Sequence, residues 1–174
     1  MNAQTRRETI MEVLRRETQP ISASTLAKRF NVSRQIIVGD VALLRAGGAD
    51  ISATPKGYLL ARDKGGIVRQ IVCNHTGEQM GEELYICVDN GCCVLDVIVE
   101  HAVYGQLAGQ LQVSTRYEVN QFLDLASQDS VHALSELTDG IHIHTLRCPD
   151  EAAFQRVCKE LDAKGYLVES DEES

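Results

Sequence analysis

The sequence lacks several features by which common classes of protein are recognised. No stretch approaches the roughly 18 apolar residues of a membrane-spanning helix. The N-terminal segment MNAQTRRETIMEVLRRE has no apolar core of a secretory signal, so we expect a cytoplasmic protein. None of the six cysteines forms a CxxC pair, and their spacing fits no zinc ribbon. We therefore expect free thiols, most of them buried.

The signatures of an enzyme are also missing. The sequence contains no Gly-rich phosphate loop and no clear nucleophile, so we predict that the chain is not an enzyme. Its 174 residues, of which 44% are hydrophobic and 24% charged, are ordinary for a globular protein of one or two domains. Two small domains are favoured over one large one.

Positive charge is scarce in most of the chain and concentrated at one end. Residues 1–69 hold 12 Lys and Arg against 6 Asp and Glu, a net charge of +6. Residues 70–174 hold 5 basic and 19 acidic residues, a net charge of −14. This asymmetry indicates that only the first third meets a polyanion such as DNA.

The basic segment predicts the elements of a helix-turn-helix domain. Residues 5–17 show helical apolar spacing, and Pro20 is expected to end this helix. A short second helix leads to a turn at Asn31, a residue type that tolerates positive φ. A third helix is predicted over about 33–45, where it is the candidate to enter a major groove.

A predicted hairpin around the sequence TPKG follows the third helix and forms a wing. Arginine can pair with guanine and glutamine with adenine, while serine and lysine can hold phosphates. The predicted DNA-binding residues are Ser33, Arg34, Gln35 and Val38 on the third helix and Lys56 on the wing. A three-helix unit that binds no DNA is the alternative.

The acidic remainder alternates strands and helices, which indicates an α+β sandwich with helices packed on one sheet. Residues 62–66 read as a linker, so the predicted domains are 1–62 and 67–170. The final segment predicts a helix stopped by Gly165 and then a last strand. The terminal ESDEES is an acidic tail.

Histidines in this second domain are candidate metal ligands. His142 and His144 are two residues apart on a predicted strand, so their imidazoles point to the same face. With His75 at the end of an earlier strand and Glu83 in the following helix, they would suit zinc, nickel or iron. Two alternatives stay open: the two strand histidines face solvent, or cysteines such as Cys73 compete as ligands.

Several motifs together resemble a known family. A winged helix with VSRQIIV is followed by CNHT, EHAVYG and DGIHIH. This combination is similar to the nicotinate-responsive repressors of the NiaR type, whose effector portion is called the 3H domain. The resemblance covers about residues 5–170. Gly39 departs from the polar residue expected in the recognition helix, which affects the predicted operator contacts.

The resemblance implies a DNA-binding repressor of niacin uptake and NAD synthesis genes, with nicotinic acid as co-repressor and a divalent transition metal as cofactor. We expect a homodimer on palindromic operator DNA. The metal ligands carried over from the family are His75, Glu83, His142 and His144.

The same resemblance places His101 and Tyr104 of the EHAVYG motif in the effector pocket. Arg116 begins a predicted helix and is one of only five basic residues after position 69. We expect it to pair with the carboxylate of nicotinate, although a surface arginine at a helix start is an equal alternative.

Two other functions use the same residues. In a metal-responsive regulator, the metal itself would be the signal that changes operator affinity. In a metal-dependent hydrolase, the metal would activate water. The missing nucleophile and the attached DNA-binding third weigh against the hydrolase.

Overall fold

The structure is a computed structural model that describes residues 1–61, 65–128 and 134–168. The chain divides into two compact units, Met1–Lys64 and Gly65–Ser174. Residues 62–64 of the predicted linker and the acidic tail 169–174 lie outside the described residues. Within the described ranges, no helix combines the length and the apolar character needed to cross a bilayer.

The first unit is a winged helix-turn-helix. Its elements are α1 (Ala3–Arg16), α2 (Ala23–Phe30), α3 (Arg34–Ala46), β1 (Ile51–Thr54) and β2 (Gly57–Leu60). The polar residue before each helix, namely Asn2, Ser22 or Ser33, accepts a backbone N–H with its side chain and so caps the helix. Strands β1 and β2 pair antiparallel as the predicted wing.

The three helices bury one apolar core, which includes Ile10, Leu14, Leu26 and Ile37. The helix predicted over residues 5–17 spans Ala3–Arg16, and Glu17 is already extended (φ −83°, ψ 138°), three residues before Pro20. The turn between α2 and α3 contains Asn31 in the left-handed region (φ 52°), as its residue type predicts.

The second unit has an α+β fold. Its elements are β3 (Ile67–Asn74), α4 (Met80–Asp89), β4 (Cys93–His101), β5 (Gly105–Val113), α5 (Arg116–Ala126), β6 (Ile141–Cys148) and α6 (Glu151–Ala163). Short 3₁₀ helices span Gly77–Gln79 and Leu134–Thr138. The four strands form one antiparallel sheet in the order β3-β6-β4-β5.

Helices α4, α5 and α6 share one core with this sheet. Fully buried Leu84, Val119 and Leu161 from the three helices belong to the same cluster as Leu146 of β6. In place of the strand predicted after Gly165, the described residues 166–168 form a single antiparallel bridge to β3, between Leu167 and Cys73.

Candidate functional site

Strand pairing brings the predicted metal ligands to one face of the sheet. His142 and His144 of β6 lie opposite Cys73 and Ile71 of β3, and both histidines are buried. His75 directly follows the end of β3. The interpretation that the two strand histidines face solvent is therefore wrong: they point into the core between sheet and helices.

Glu83, in the first turn of α4, is the centre of this group, and its side chain is fully buried. Its carboxylate lies 2.5 Å from Nε2 of His75, 3.1 Å from Nε2 of His142 and 3.3 Å from Nε2 of His144. The rings of His75 and His144 each lie 4.8 Å from that of His142, centroid to centroid. All four residues named from the sequence thus form one cluster.

The other nitrogen of each ring faces a backbone carbonyl. Nδ1 of His75 lies 2.8 Å from the oxygen of Thr76, Nδ1 of His142 lies 2.7 Å from that of Gly140, and Nδ1 of His144 lies 2.6 Å from that of Asp96. A carbonyl oxygen only accepts, so Nδ1 carries the hydrogen in all three rings. In a neutral imidazole, each Nε2 then presents a lone pair towards Glu83.

Three lone pairs and a carboxylate cannot satisfy one another, since all are acceptors. Protonating every histidine would instead bury three positive charges beside one negative charge, which is costly. A divalent cation bound among these atoms removes the conflict. Imidazoles whose Nδ1–H is held by a carbonyl are typical metal ligands, so the donor set fits a transition metal.

The glutamate and the histidines of the cluster shift one another's pKa values. Burial raises the pKa of Glu83, but the three neighbouring imidazoles outweigh burial and hold it well below its usual value. Burial lowers the pKa of His75 and of His144, whereas the hydrogen bond and charge of Glu83 raise it by more. Without a metal, the carboxylate therefore stays ionised and favours imidazolium.

Two further residues, Cys73 and Gly140, lie beside the cluster, and their sequence signals are less obvious. The potential ligand atoms of Cys73, Glu83 and His142 lie within 4.8 Å of one another, which keeps Cys73 as an alternative ligand. Gly140 has φ of +97°, and a Cβ there would lie 2.5 Å from the carbonyl oxygen of His75. Only glycine allows these two backbone segments to approach so closely.

An open cavity of about 400 Å³ lies beside His75, whose side chain is buried. It is lined by residues of the segments 74–79 and 135–140, among them the carboxylates Glu136 and Asp139. Its size falls within the range of small-molecule sites, roughly 300–1,000 Å³. Its described lining contains no lysine or arginine.

The three predicted effector residues lie elsewhere. The rings of His101 and Tyr104 stack on each other at the turn between β4 and β5, where Tyr104 is 74% exposed. Nδ1 of His101 accepts the backbone N–H groups of Val103 and Tyr104. The structure does not gather these two rings with the buried cluster, so their predicted effector role has no geometric support.

Arg116 is also paired within the chain, and its predicted contact with nicotinate stays a prediction. Its guanidinium donates to the carboxylate of Asp89 at 2.8 and 2.5 Å and lies over the ring of Tyr85. Asp89 ends α4, six residues or about 9 Å of helix rise beyond Glu83. Arg116 is therefore a surface arginine at a helix start, paired within the chain.

The candidate DNA surface is the N-terminal half of α3. Ser33, which caps α3, and Arg34, Gln35 and Val38 within it are all exposed, whereas Ile37 is buried. On the wing, Lys56 is partly exposed in the turn between β1 and β2. All five predicted residues are thus at least partly accessible, and their DNA contacts stay a prediction.

The sequence analysis did not identify Asp40, which is buried although it lies in the middle of α3. Its carboxylate accepts from Nε of Arg6 at 2.5 Å and lies 3.5 Å from Arg7 of α1. This contact with two arginines fixes the orientation of α3 relative to α1. The sequence indicated this ion pair only by a charged residue at a helical position that faces the core, 34 residues after Arg6.

Comparison with known proteins agrees with both units. Residues 68–170 match the 3H domain family and residues 6–59 match an HTH domain family. The chain is 43% identical over 166 residues to the "Probable transcription repressor NiaR" of Thermotoga maritima, covering 95% of each chain. It is 41% identical over 167 residues to the "Transcription repressor NadR" of Bacillus subtilis, covering 94% of this chain and 93% of that one. Both relatives are named as transcription repressors, a class of regulators.

Proposed function

The chain belongs to the family of NiaR- and NadR-type transcription repressors, and we propose that it represses niacin uptake and NAD synthesis genes with nicotinic acid as co-repressor. The observation that carries the proposal is the convergence of three histidine Nε2 atoms on buried Glu83. Burying these acceptors together costs free energy unless a cation binds among them. We therefore infer that the cluster serves ligand binding and not only the stability of the fold.

In this proposal, His75, Glu83, His142 and His144 hold a divalent transition metal, which is nickel, zinc or iron. Three imidazoles and one carboxylate suit these ions better than magnesium or calcium, which prefer oxygen ligands. The chain holds these ligands in fixed orientations. A backbone carbonyl orients each imidazole, and Glu83 is buried in the first turn of α4. A bound metal would supply Lewis acidity to a ligand that enters the site.

Nicotinic acid carries a pyridine nitrogen that can act as such a ligand, and a carboxylate. The cavity beside His75 has the volume for a single aromatic ring and opens to solvent. The described lining of the cavity offers the carboxylates of Glu136 and Asp139 and no basic side chain, so in this proposal the bound metal supplies the positive charge that an anionic ligand requires.

The winged helix-turn-helix supplies operator binding in the cytoplasm, with Arg34 and Gln35 reading base edges and Ser33 and Lys56 holding phosphates. Two copies present two recognition helices about 34–36 Å apart to a palindromic site. We therefore propose a homodimer, in which the bound effector favours the arrangement that fits DNA.

Calorimetric titration tests the effector site. Nickel-loaded and zinc-loaded protein is titrated with nicotinate and, as a matched control, with nicotinamide, which keeps the pyridine nitrogen but lacks the carboxylate. We expect nicotinate to bind the loaded wild-type protein and to lose binding in His142→Ala. Binding of nicotinate that is equal in metal-free protein would contradict the metal-anchored site.

The same cluster supports a second candidate, a metal-responsive regulator in which the ion alone is the signal. Gel-shift titrations with a fixed operator fragment separate the two functions. If metal without nicotinate changes operator affinity as much as metal with nicotinate, the metal is the effector. If only the combination tightens binding, nicotinate is the co-repressor.

A further inference from the structure

The sheet of the second unit has two different faces. Buried Cys73 on β3 and Leu146 on β6 point towards the helices. Because side chains alternate along a strand, the residues next to Cys73 on β3 and next to Leu146 on β6 point to the opposite side of the sheet. On that side, Val68 and Val72 of β3 are 49% and 37% exposed. We call the side turned away from the helices the outer face.

Apolar residues form a continuous row across the outer face. Val72 of β3 pairs with Ile143 of β6, Ile143 pairs with Ile98 of β4, and Ile98 pairs with Ala108 of β5. The row therefore crosses all four strands, and its two ends at Val72 and Ala108 are exposed. A stripe of apolar residues across a sheet is typical of a surface that packs against another sheet.

The outer face is poor in charge within a strongly acidic domain. Residues 70–174 carry a net charge of −14. The carboxylate of Asp96 on β4 is engaged within the sheet, where it accepts the backbone N–H of Thr145 at 2.9 Å. Two copies of this domain repel each other wherever their carboxylates meet, so a second copy can approach this face at low electrostatic cost. Beside the apolar row lie neutral side chains, which are Gln70, Asn74, Thr145, Gln106 and Gln110.

Two charges at opposite ends of the outer face complement each other in a dimer. Arg147 is level with Val68, at one end of the strands, and Glu100 lies two residues beyond Ile98 towards the other end. A two-fold axis along the apolar row reverses the strand direction, so the Arg147 end of one copy meets the Glu100 end of the other.

The area of the face is sufficient for a stable contact. Four strands about 4.8 Å apart, each of eight or nine residues at about 3.3 Å, cover about 500 Å² per copy. Two copies would bury about 1,000 Å², which reaches the usual threshold of a specific interface.

We infer that the outer face is the interface of a homodimer, in which two copies stack sheet against sheet around Ile98 and Ile143. The inference rests on the proposed dimeric repressor and adds the surface that joins its subunits. The histidine cluster lies on the opposite face of the same sheet, so the interface and the metal site can be tested separately.

Opposite charges placed at the centre of the face test the inference. Full-length Ile98→Glu and Ile98→Lys are purified separately, and their masses are measured by light scattering at equal concentration. We expect twice 19.2 kDa for the wild type and 19.2 kDa for each variant. An equimolar mixture of the two variants is expected to regain the dimer mass, which a misfolded protein would not do. Leu125→Glu, an exposed apolar residue of α5, is the matched control and is expected to stay dimeric.

A monomeric wild type, variants that remain dimeric, or a mixture that stays monomeric would each overturn the inference. Nickel titration of the same samples distinguishes this failure from failure of the proposed function. If the variants stay dimeric and bind nickel, the assigned surface is wrong and the metal site stands. If the wild type binds no nickel but the mixture dimerises, the metal site is wrong and the interface stands.

Discussion

At the scale of single residues, the chemistry of this protein depends on which atoms face one another. Glu83 is buried among three imidazoles whose Nδ1 atoms are all committed to carbonyls. The sequence named these four residues, but it could not show that Nε2 is the nitrogen directed at the carboxylate in each ring. That orientation makes the cluster a candidate metal site and not a set of satisfied core histidines.

The first prediction distinguishes ligands from neighbours within this cluster. We expect His144→Ala to weaken nickel or zinc binding at least about 100-fold, because losing a ligand costs more than losing one of its hydrogen-bond partners. Cys73→Ser is expected to weaken binding by less than about 100-fold, since Cys73 lies outside the proposed ligand set and acts at most as a supporting partner of Glu83. Calorimetry and metal analysis measure both, with His101→Ala as an exposed-histidine control. A larger loss in Cys73→Ser would make the thiol a ligand.

The second prediction concerns Arg116, whose guanidinium is paired with Asp89. Because this pair is on the surface and remote from Glu83 along α4, Arg116→Ala should leave nicotinate affinity within about twofold of wild type. Titration of metal-loaded protein measures the change. A loss of about 10-fold or more would restore the role predicted from the sequence, as partner of the nicotinate carboxylate.

At the scale of elements, glycines decide how closely segments approach. Gly140, just before β6, and Gly105, the first residue of β5, both have positive φ, of +97° and +70°. A Cβ at Gly140 would collide with the backbone of His75, whereas one at Gly105 meets nothing within 4 Å. The two positions therefore separate the cost of backbone strain from the cost of a steric collision.

The third prediction follows from that contrast. Gly105→Ala should lower the free energy of unfolding by about 1 kcal/mol, from the left-handed conformation alone. Gly140→Ala should cost about 2–4 kcal/mol and weaken metal binding, because His75 must move as well. Denaturant unfolding and nickel titration measure the two effects. Equal losses in both variants would mean that the approach of Gly140 to His75 is unimportant.

The fourth prediction concerns α3, where Gly39 is exposed in the helix interior and an added Cβ would meet nothing within 4 Å. Gly39→Ala should stabilise the winged helix by about 0.5–1 kcal/mol, because alanine loses less backbone entropy than glycine in a helix. Thermal and denaturant unfolding measure the gain. Gel shifts on the same variant show whether operator DNA contacts this position: reduced affinity in a more stable protein would place Gly39 against the DNA.

At the scale of the whole molecule, the proposed function requires coupling between the acidic second unit, where the effector would bind, and the basic DNA-binding unit. The effector can shift operator binding only by its differential affinity for the DNA-competent arrangement. A segregation of +6 on residues 1–69 and −14 on the remainder also keeps the second unit away from DNA phosphates.

The fifth prediction is that nicotinate tightens operator binding of the metal-loaded protein about 5- to 150-fold, the effect of a coupling of about 1–3 kcal/mol. Operator DNA must then tighten nicotinate binding by the same factor, which fluorescence titration and calorimetry can compare. Operator affinity should also fall steeply with salt, as it does when phosphate contacts dominate. Unequal factors in the two directions would show that the two ligands do not act through one equilibrium.

Local sequence signals were enough to predict the elements and most of their boundaries, because caps, turn residues and apolar periodicity act over a few neighbouring residues. Ser33 at the start of α3, Asn31 in the turn and the alternation of IHIHTLRC are signals of this kind. The four candidate metal ligands were also named from sequence, through strand periodicity and family resemblance.

Contacts between distant residues became visible only in the folded chain. The register of β3 against β6 places Cys73 beside His142, and the packing of α4 on the sheet brings Glu83 between the imidazoles. The partners of Asp40 and Arg116, each 27 or more residues away, follow from helix packing in the same manner. Such contacts depend on the relative placement of whole elements, which the free energy of the complete core sets and no local pattern contains.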